Sequence, residues 1–177
     1  EIAIKAALTG HLVFSTLHTN DAPSSIIRLI DIGIKPFMVA SGVRAILAQR
    51  LVRSICTTCK EPYTPDEVEM RRLGIPVDLD KVELVHGAGC DNCNGTGYTG
   101  RMGIHELLTM TDEIRTMVMN GESTVVIRKE ARHGGMITLR QDAYGKALNG
   151  ITTIEECNRR TKPDEPLKPR ESTEATA

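Results

Sequence analysis

Tryptophan is absent from this sequence, and two phenylalanines and three tyrosines are its only aromatic residues, 3% of 177. Such scarcity leaves no stacking platform of the kind on which single-strand nucleic-acid binders lay their bases. Charge of one sign is lacking too: 22 basic against 23 acidic residues give a formal net charge of −1. The electrostatic footprint of a DNA- or RNA-binding surface is therefore missing, and no nucleic-acid partner is expected. No apolar run is long enough for a secretory leader or a membrane helix. What is present is 40% hydrophobic content built from Ile, Leu, Val, Ala and Met, enough for one compact globular domain with a smaller appended module.

Cysteine is sparse but organised. Cys56-Thr57-Thr58-Cys59 and Cys90-Asp91-Asn92-Cys93 are two Cys-x-x-Cys pairs, and Cys157 stands apart from them. Two residues between thiolates let the backbone turn tightly enough for both sulfurs to face one ion, and two such knuckles supply the four ligands of a structural zinc site. The competing readings are two disulfides or a redox Cys-x-x-Cys; a disulfide framework belongs to secreted chains, whose leader pattern this sequence does not display. After the second pair comes Asn94-Gly95-Thr96-Gly97, where glycines let the backbone fold back over the sulfurs without a Cβ clash. This Cys-x-x-Cys-x-Gly-x-Gly run also resembles one zinc repeat of the J-domain co-chaperones, which carry several copies where this chain has one. Structural zinc contributes roughly 10–16 kcal/mol in small modules, against about 5–15 for a whole domain. Residues 56–93 are thus expected to lose their fold without metal.

Glu1 opens directly into Ile2-Ala3-Ile4-Lys5-Ala6-Ala7-Leu8, a helical run with no capping residue before it and Gly10 after it, which reads as a chain taken from within a longer protein. His11-Leu12-Val13-Phe14-Ser15-Thr16-Leu17 is apolar without alternation, the pattern of a buried strand in a parallel sheet. His18-Thr19-Asn20-Asp21 makes a polar turn, and Asp21 or a neighbour caps a helix entered at Ala22-Pro23 that runs through Ile26, Ile27, Leu29 and Ile30 to Gly33. A second helix, entered at Lys35-Pro36, carries Phe37, Val39, Ala40, Val43, Ile46 and Leu47 at helical spacing. Residues 49–55 form a strand leading into the first cysteine pair. Helix, strand, polar loop, helix is the rhythm of an α/β fold.

Between the cysteine pairs, Thr64-Pro65-Asp66-Glu67 is a capping box that predicts a short helix to Gly74, followed by a strand from Val82 to Val85. Beyond them a strand is expected from Arg101 to Leu108, then helices. One starts at Thr111-Asp112-Glu113 and ends at Asn120-Gly121; another starts at Glu122 or Ser123 and ends at Gly134-Gly135. Two capping boxes, Thr138-Leu139-Arg140-Gln141 and Thr153-Ile154-Glu155-Glu156, complete a small helical bundle. From Lys162 on, Pro163, Pro166 and Pro169 among charged and small residues predict a disordered tail.

Ligands of open α/β sheets bind just beyond the carboxyl ends of the strands, where the His18–Asp21 turn falls. A histidine there can touch a phosphate; the plain alternative is a solvated turn with Asp21 as a helix cap. His86 and His105 flank the cysteines, but four thiolates already close a tetrahedral site, so both read as surface or packing residues. His133 sits at a helix carboxyl end, where positive charge is favourable. Cys157 reads as a small buried hydrophobe and the methionines as core filling.

The whole run from Glu1 to Ala22 closely resembles the segment after the Walker B motif in the secretion ATPases of the type II secretion and type IV pilus assembly group, and contains what looks like their His box. The likeness continues through Ala48-Gln49-Arg50-Leu51-Val52-Arg53, both cysteine pairs, residues 97–108 (Gly97-Tyr98-Thr99-Gly100-Arg101 and onward to Leu108) and Gly135-Met136-Ile137-Thr138-Leu139-Arg140. It implies a RecA-like motor domain in a cytoplasmic homo-hexamer that hydrolyses ATP with Mg²⁺ and pushes on an inner-membrane platform protein. By the same resemblance His18 is the catalytic residue that senses the γ-phosphate, and Gln49 and Arg50 lie near the nucleotide; their plain alternative is a strand-end salt bridge or carbonyl contact. Cys56, Cys59, Cys90 and Cys93 match the family's zinc ligands. The implied organisation is residues 1–55 as the remainder of the RecA-like core, 56–100 as the zinc module, 101–161 as a strand with the helical bundle, and 162–177 as tail.

A phosphate-cradling loop needs Gly-x-x-x-x-Gly-Lys-Ser/Thr, and none occurs here; Gly145-Lys146 is followed by Ala147 and has Arg140 where the earlier glycine belongs. The family's Walker B carboxylates would lie upstream of Glu1. Hence the chain by itself is expected to be inactive, its chemistry belonging to a full-length parent. A different class of function, a non-catalytic zinc-ribbon adaptor for protein or nucleic acid, is the alternative, and the sequence upstream of Glu1 decides between them.

Overall fold

Helices in the computed structural model begin where a side-chain oxygen stands ready for an otherwise unpaired N–H group. Asp21 Oδ1 accepts from Ser24 N at 2.9 Å to open α2 (Ala22–Asp31). Thr111 and Ser123 cap α4 (Asp112–Met119) and α5 (Thr124–His133). Thr138 and Gln141 exchange reciprocal bonds at the start of α6 (Leu139–Leu148). Thr153 caps α7 (Ile154–Arg160), but Glu156 does not return the bond there, because its carboxylate is engaged elsewhere. Uncapped α1 (Ile2–Leu8) and α3 (Pro36–Gly42) complete the helices introduced here. Among the described residues the strands are β1 (Ala45–Ile55), β2 (Lys60–Tyr63), β3 (Leu84–Gly87) and β4 (Tyr98–Thr109), with a 3₁₀ turn over Asp91–Cys93. β1 pairs with β4; β2 runs antiparallel to β3, with Lys60 opposite Gly87 and Tyr63 opposite Leu84.

The structure describes residues 1–66 and 84–167. The helix expected over 67–74, the Val82 end of the expected strand, and the tail from 168 lie outside them.

Two compact units emerge. One holds, among the described residues, 1–48, 106–137 and 165–167. In it α3 packs against α1, α2 and α4, while α5 packs against α2 and α4. Ala22 and Ile26, one helical turn apart, are fully buried while Arg28 is exposed, which is how α2 shows one face to the core. Val39, Ile114, Val118 and Ile127 fill the space between the helices. Arg115 Nη1 donates to the Ala40 carbonyl, fixing α4 to α3.

The other unit holds, among the described residues, 49–66, 84–105 and 138–164. Its helices α6 and α7 pack on each other, and α6 also meets β3. Ile55 N donates to the Ile151 carbonyl at 2.9 Å and Thr152 Oγ1 to the Arg53 carbonyl at 2.8 Å, so the end of β1 is held by the α6–α7 loop. Val52, Ile104, Tyr144, Ile154 and Cys157 are buried here.

Several expectations are corrected. Residues 11–17 form no strand: they have no pairing partner among the described residues, and every one of them is exposed, Leu12 at 83% and Phe14 at 87%. A buried strand exists only where neighbouring strands take up its N–H and C=O groups. The second helix stops at Gly42, with Ile46 and Leu47 in β1, since the backbone pairing of β1 with β4 overrides a local helical spacing. Of the helices expected beyond the last strand, α4 packs with α5 in the first unit and α6 with α7 in the second. The start of the expected tail is tied down by polar contacts rather than apolar area: Thr138 Oγ1 donates to Asp164 Oδ2 at 2.6 Å, and Arg132 Nη1 to the Glu165 carbonyl at 2.5 Å.

Candidate metal centre and the His18 turn

The four paired cysteines converge. Their Sγ atoms all lie within 4.8 Å of one another, with Cys56–Cys90 at 3.9 Å and Cys59–Cys93 and Cys90–Cys93 at 3.8 Å. Four sulfurs held about 2.3 Å from a tetrahedral zinc stand roughly 3.8 Å apart, whereas a disulfide needs about 2.05 Å. The donor set and its spacing therefore fit zinc, and all four cysteines are free thiols.

Backbone geometry makes that convergence possible. The 3₁₀ turn aims Cys90 and Cys93 at one point, and Asn94, in the left-handed region at φ 50°, reverses the chain. Gly87 and Gly97 then touch backbone to backbone: a Cβ on Gly87 would fall 2.1 Å from the Gly97 carbonyl oxygen, so no larger residue fits. Cys56 N donates to that same oxygen at 2.9 Å, bringing the first knuckle against the second.

N–H groups surround the sulfurs. Gly89 N donates to Cys59 Sγ at 3.3 Å, Cys90 N and Gly97 N each to Cys93 Sγ at 3.2 Å, and Asn92 Nδ2 to Cys56 Sγ at 3.5 Å. Hydrogen bonds from Thr99 and Asn92 draw the Cys56 thiol down to about 5. The Cys90 backbone N–H likewise holds Cys93 below the ordinary thiol value. Burial pushes Cys59 up to about 12. Donors aimed at sulfur favour thiolates, the form in which cysteine ligates metal.

The module's base is braced by Glu156, the last residue of the expected capping box, in a role the motif did not signal. Glu156 is fully buried and takes Arg53 Nε at 2.8 Å and Nη2 at 2.7 Å on one oxygen, Arg160 Nε at 3.0 Å on the other. Burial works to raise its pKa, but the bonds from Arg53 and Arg160 prevail and hold it below the ordinary carboxylate value. Arg53 also lies 3.9 Å from the centre of the Tyr98 ring, and Tyr98 Oη meets Thr153 Oγ1 at 2.7 Å. Arg53 precedes Cys56 and Tyr98 follows Gly97, so both ends of the module rest on this cluster.

His86 and His105 stand outside the thiolate group. His86 Nε2 faces Glu61 Oε1 at 3.2 Å and sits edge-on to Tyr63, and His105 Nδ1 lies 4.0 Å from Asp142. Cys157 donates to the Ala143 carbonyl at 3.2 Å, and burial pushes its thiol up to about 12, as suits an inert core residue.

His18 is exposed in the segment before α2. Around it the chain is fixed: Thr19 Oγ1 meets Ser25 Oγ at 2.6 Å, Arg128 Nη2 meets Asp21 Oδ2 at 2.9 Å, and Glu106 Oε1 accepts from Ala22 N at 2.8 Å. Burial works to raise the Asp21 pKa, but Ser24 and Arg128 outweigh it and lower the carboxyl from its ordinary value. In the second unit Gln49 is exposed on β1, and Arg50 Nη1 donates to the Arg160 carbonyl at 3.1 Å.

Mixed helices and strands carrying a four-thiolate cluster that could hold a metal ion define an α/β protein. A family model described as "Type II/IV secretion system protein" matches residues 1–159, and the chain belongs to that family. It is 49% identical over 162 residues to the type IV pilus assembly ATPase PilB of Thermus thermophilus, covering 91% of this chain and 18% of that relative. To the type II secretion system protein E of Dickeya dadantii it is 46% identical over 164 residues, covering 92% and 32%. In fold it is similar to the crystal structure of the pilus retraction motor PilT with bound ADP, at a TM-score of 0.58 and 24% identity over 92% of this chain and 36% of that one. The chain thus spans only 18–32% of the length of these two sequence relatives. Among the described residues no helix is long and apolar enough to cross a membrane.

Proposed function

We propose that this chain is the carboxyl-terminal part of an ATPase that powers type II protein secretion or type IV pilus assembly, and that its four-thiolate cluster is a structural zinc site. The observation that carries the first reading is identity of 42–49% across about nine-tenths of the chain to proteins named as ATPases of those two machines or as type II secretion proteins. The sulfur spacing of 3.8–3.9 Å carries the second.

In this reading Cys56, Cys59, Cys90 and Cys93 hold zinc, which cross-links two knuckles too small to make a core and takes no part in chemistry. His18 faces the γ-phosphate of ATP bound with Mg²⁺ elsewhere in the parent. Gln49 and Arg50 approach the same nucleotide, and Arg50 then exchanges its bond to the Arg160 carbonyl for one to phosphate or ribose. The parent works as a cytoplasmic homo-hexamer docked on an inner-membrane platform protein. Lacking a phosphate-cradling loop, the chain alone does not turn over ATP.

Steady-state ATP hydrolysis by the full-length parent, by this chain alone, and by the parent carrying His18→Ala tests the reading. Turnover in the parent, none in the chain, and a fall of about tenfold or more in kcat for the variant are expected, the scale of a lost positioning or charge-stabilising group. An inactive parent, or a variant with full activity, overturns it.

A further inference from the structure

We infer that Glu106 is a positioning residue for His18, acting through the amino-terminal end of α2. This rests on the reading of His18 as the group that faces the γ-phosphate.

Glu106 sits on the inward face of β4, between Ile104 and Leu108 in a strand whose alternate residues are buried, and is itself only 2% exposed. An apolar side chain would fill that position without the desolvation cost of a carboxylate. The first donors of α2 explain the choice. Ala22 is fully buried, so its N–H cannot turn to water, and Glu106 Oε1 takes it at 2.8 Å. Pro23 has no N–H, and Ser24 N is taken by Asp21.

Arg128 in turn fixes Asp21, and the Thr19–Ser25 hydroxyl contact closes the turn from its other side. Thr19, Asp21 and Ala22, three of the four positions after His18, are thereby constrained, while the His18 side chain stays exposed. Glu106 is the one acceptor in this set supplied from a distant strand, 84 residues along the chain, and that strand begins five residues after Cys93. Losing the Ala22 bond frees the start of α2 and with it the direction of the His18 ring.

The test is a double-mutant cycle in the full-length parent, with kcat and KM for ATP measured beside thermal stability. Glu106→Leu removes the acceptor; Glu106→Asp draws it back by one methylene and serves where the leucine variant does not fold; Glu106→Gln keeps an Oε1 for Ala22. Expected are a fall of about tenfold or more in kcat for the leucine or aspartate variant with KM within about twofold, and near-complete rescue by glutamine. Added to His18→Ala, either damaging variant should lower kcat no further while its loss of stability persists. Fully additive kcat losses, or a glutamine variant as impaired as leucine, overturn the inference while leaving the role of His18 intact. Unchanged kcat in His18→Ala alone overturns both.

Discussion

At the scale of single residues, Glu156 and Asp21, beside the buried Glu106, anchor polar contacts in the two units. Glu156 accepts from Arg53 and Arg160 in the second unit, and Asp21 from Ser24 and Arg128 in the first. Replacing Glu156 with Gln keeps the shape but removes the charge its arginines face, and breaking a buried pair costs about 3–5 kcal/mol. Because Arg53 retains 29% exposure and can turn to water, the lower end, about 3 kcal/mol, is expected as a shift in the urea midpoint at neutral pH. Asp21 gives a pH signature. Its folded pKa lies below the unfolded value, so its contribution is fully present above the unfolded pKa and is lost as pH falls through the folded one. Hydrogen exchange at the α2 amides should accelerate beyond the intrinsic trend as pH drops below about 4, and Asp21→Asn should abolish that excess. An identical pH trend in the variant would refute the assignment.

At the scale of elements, what is local in sequence was legible and what is paired across the chain was not. Helix starts could be read because their determinants lie within three residues: Asp21, Thr111, Ser123, Thr138 and Thr153 each stand where the capping rule puts them. The cysteine cluster was equally plain from spacing. By contrast Val43, Ile46 and Leu47 continue a helical period past Gly42, and the pairing of β1 with β4 places Ile46 and Leu47 in extended chain. The buried bonds of Glu106 to Ala22 and of Glu156, read only as part of a capping box, to Arg53 were not legible because those partners lie 84 and 103 residues away; the signal at Glu106 was a charge at the inward place of the Ile104–Leu108 alternation. The paired strands β2 and β3 are short and depend on the thiolate cluster beside them, through Ala88 N to the Cys59 carbonyl at 2.9 Å. Purified protein should hold about one zinc per chain, and a strong chelator under reducing conditions should remove both the metal and the amide protection of β2 and β3. Cys93→Ser should do the same without chelator, whereas Cys157→Ser, remote from the cluster, should retain the metal.

At the scale of the whole molecule, residues 11–17 combine strand-like composition with exposure, Leu12 and Phe14 above four-fifths. Burying side chains of that size is worth about 1.5–3 kcal/mol each, and their backbone groups gain a net ~0.5–1.5 kcal/mol per hydrogen bond when a sheet receives them. Neither gain is realised in this chain, which spans 18–32% of the length of two of its relatives. The apolar run, without the alternation of a half-exposed strand, is expected to lie between two strands in a full-length parent. Amide exchange measured by mass spectrometry in both forms provides the comparison: residues 11–17 should exchange within seconds in the chain alone and slow by at least about a hundredfold in the full-length parent, the change that roughly 2.7 kcal/mol of protection produces. The α5 amides, whose packing partners α2 and α4 are already present, should change far less. Equal, fast exchange of residues 11–17 in both forms would mean that the apolar run has no strand partner in the parent either, and that its exposure serves some contact other than a sheet.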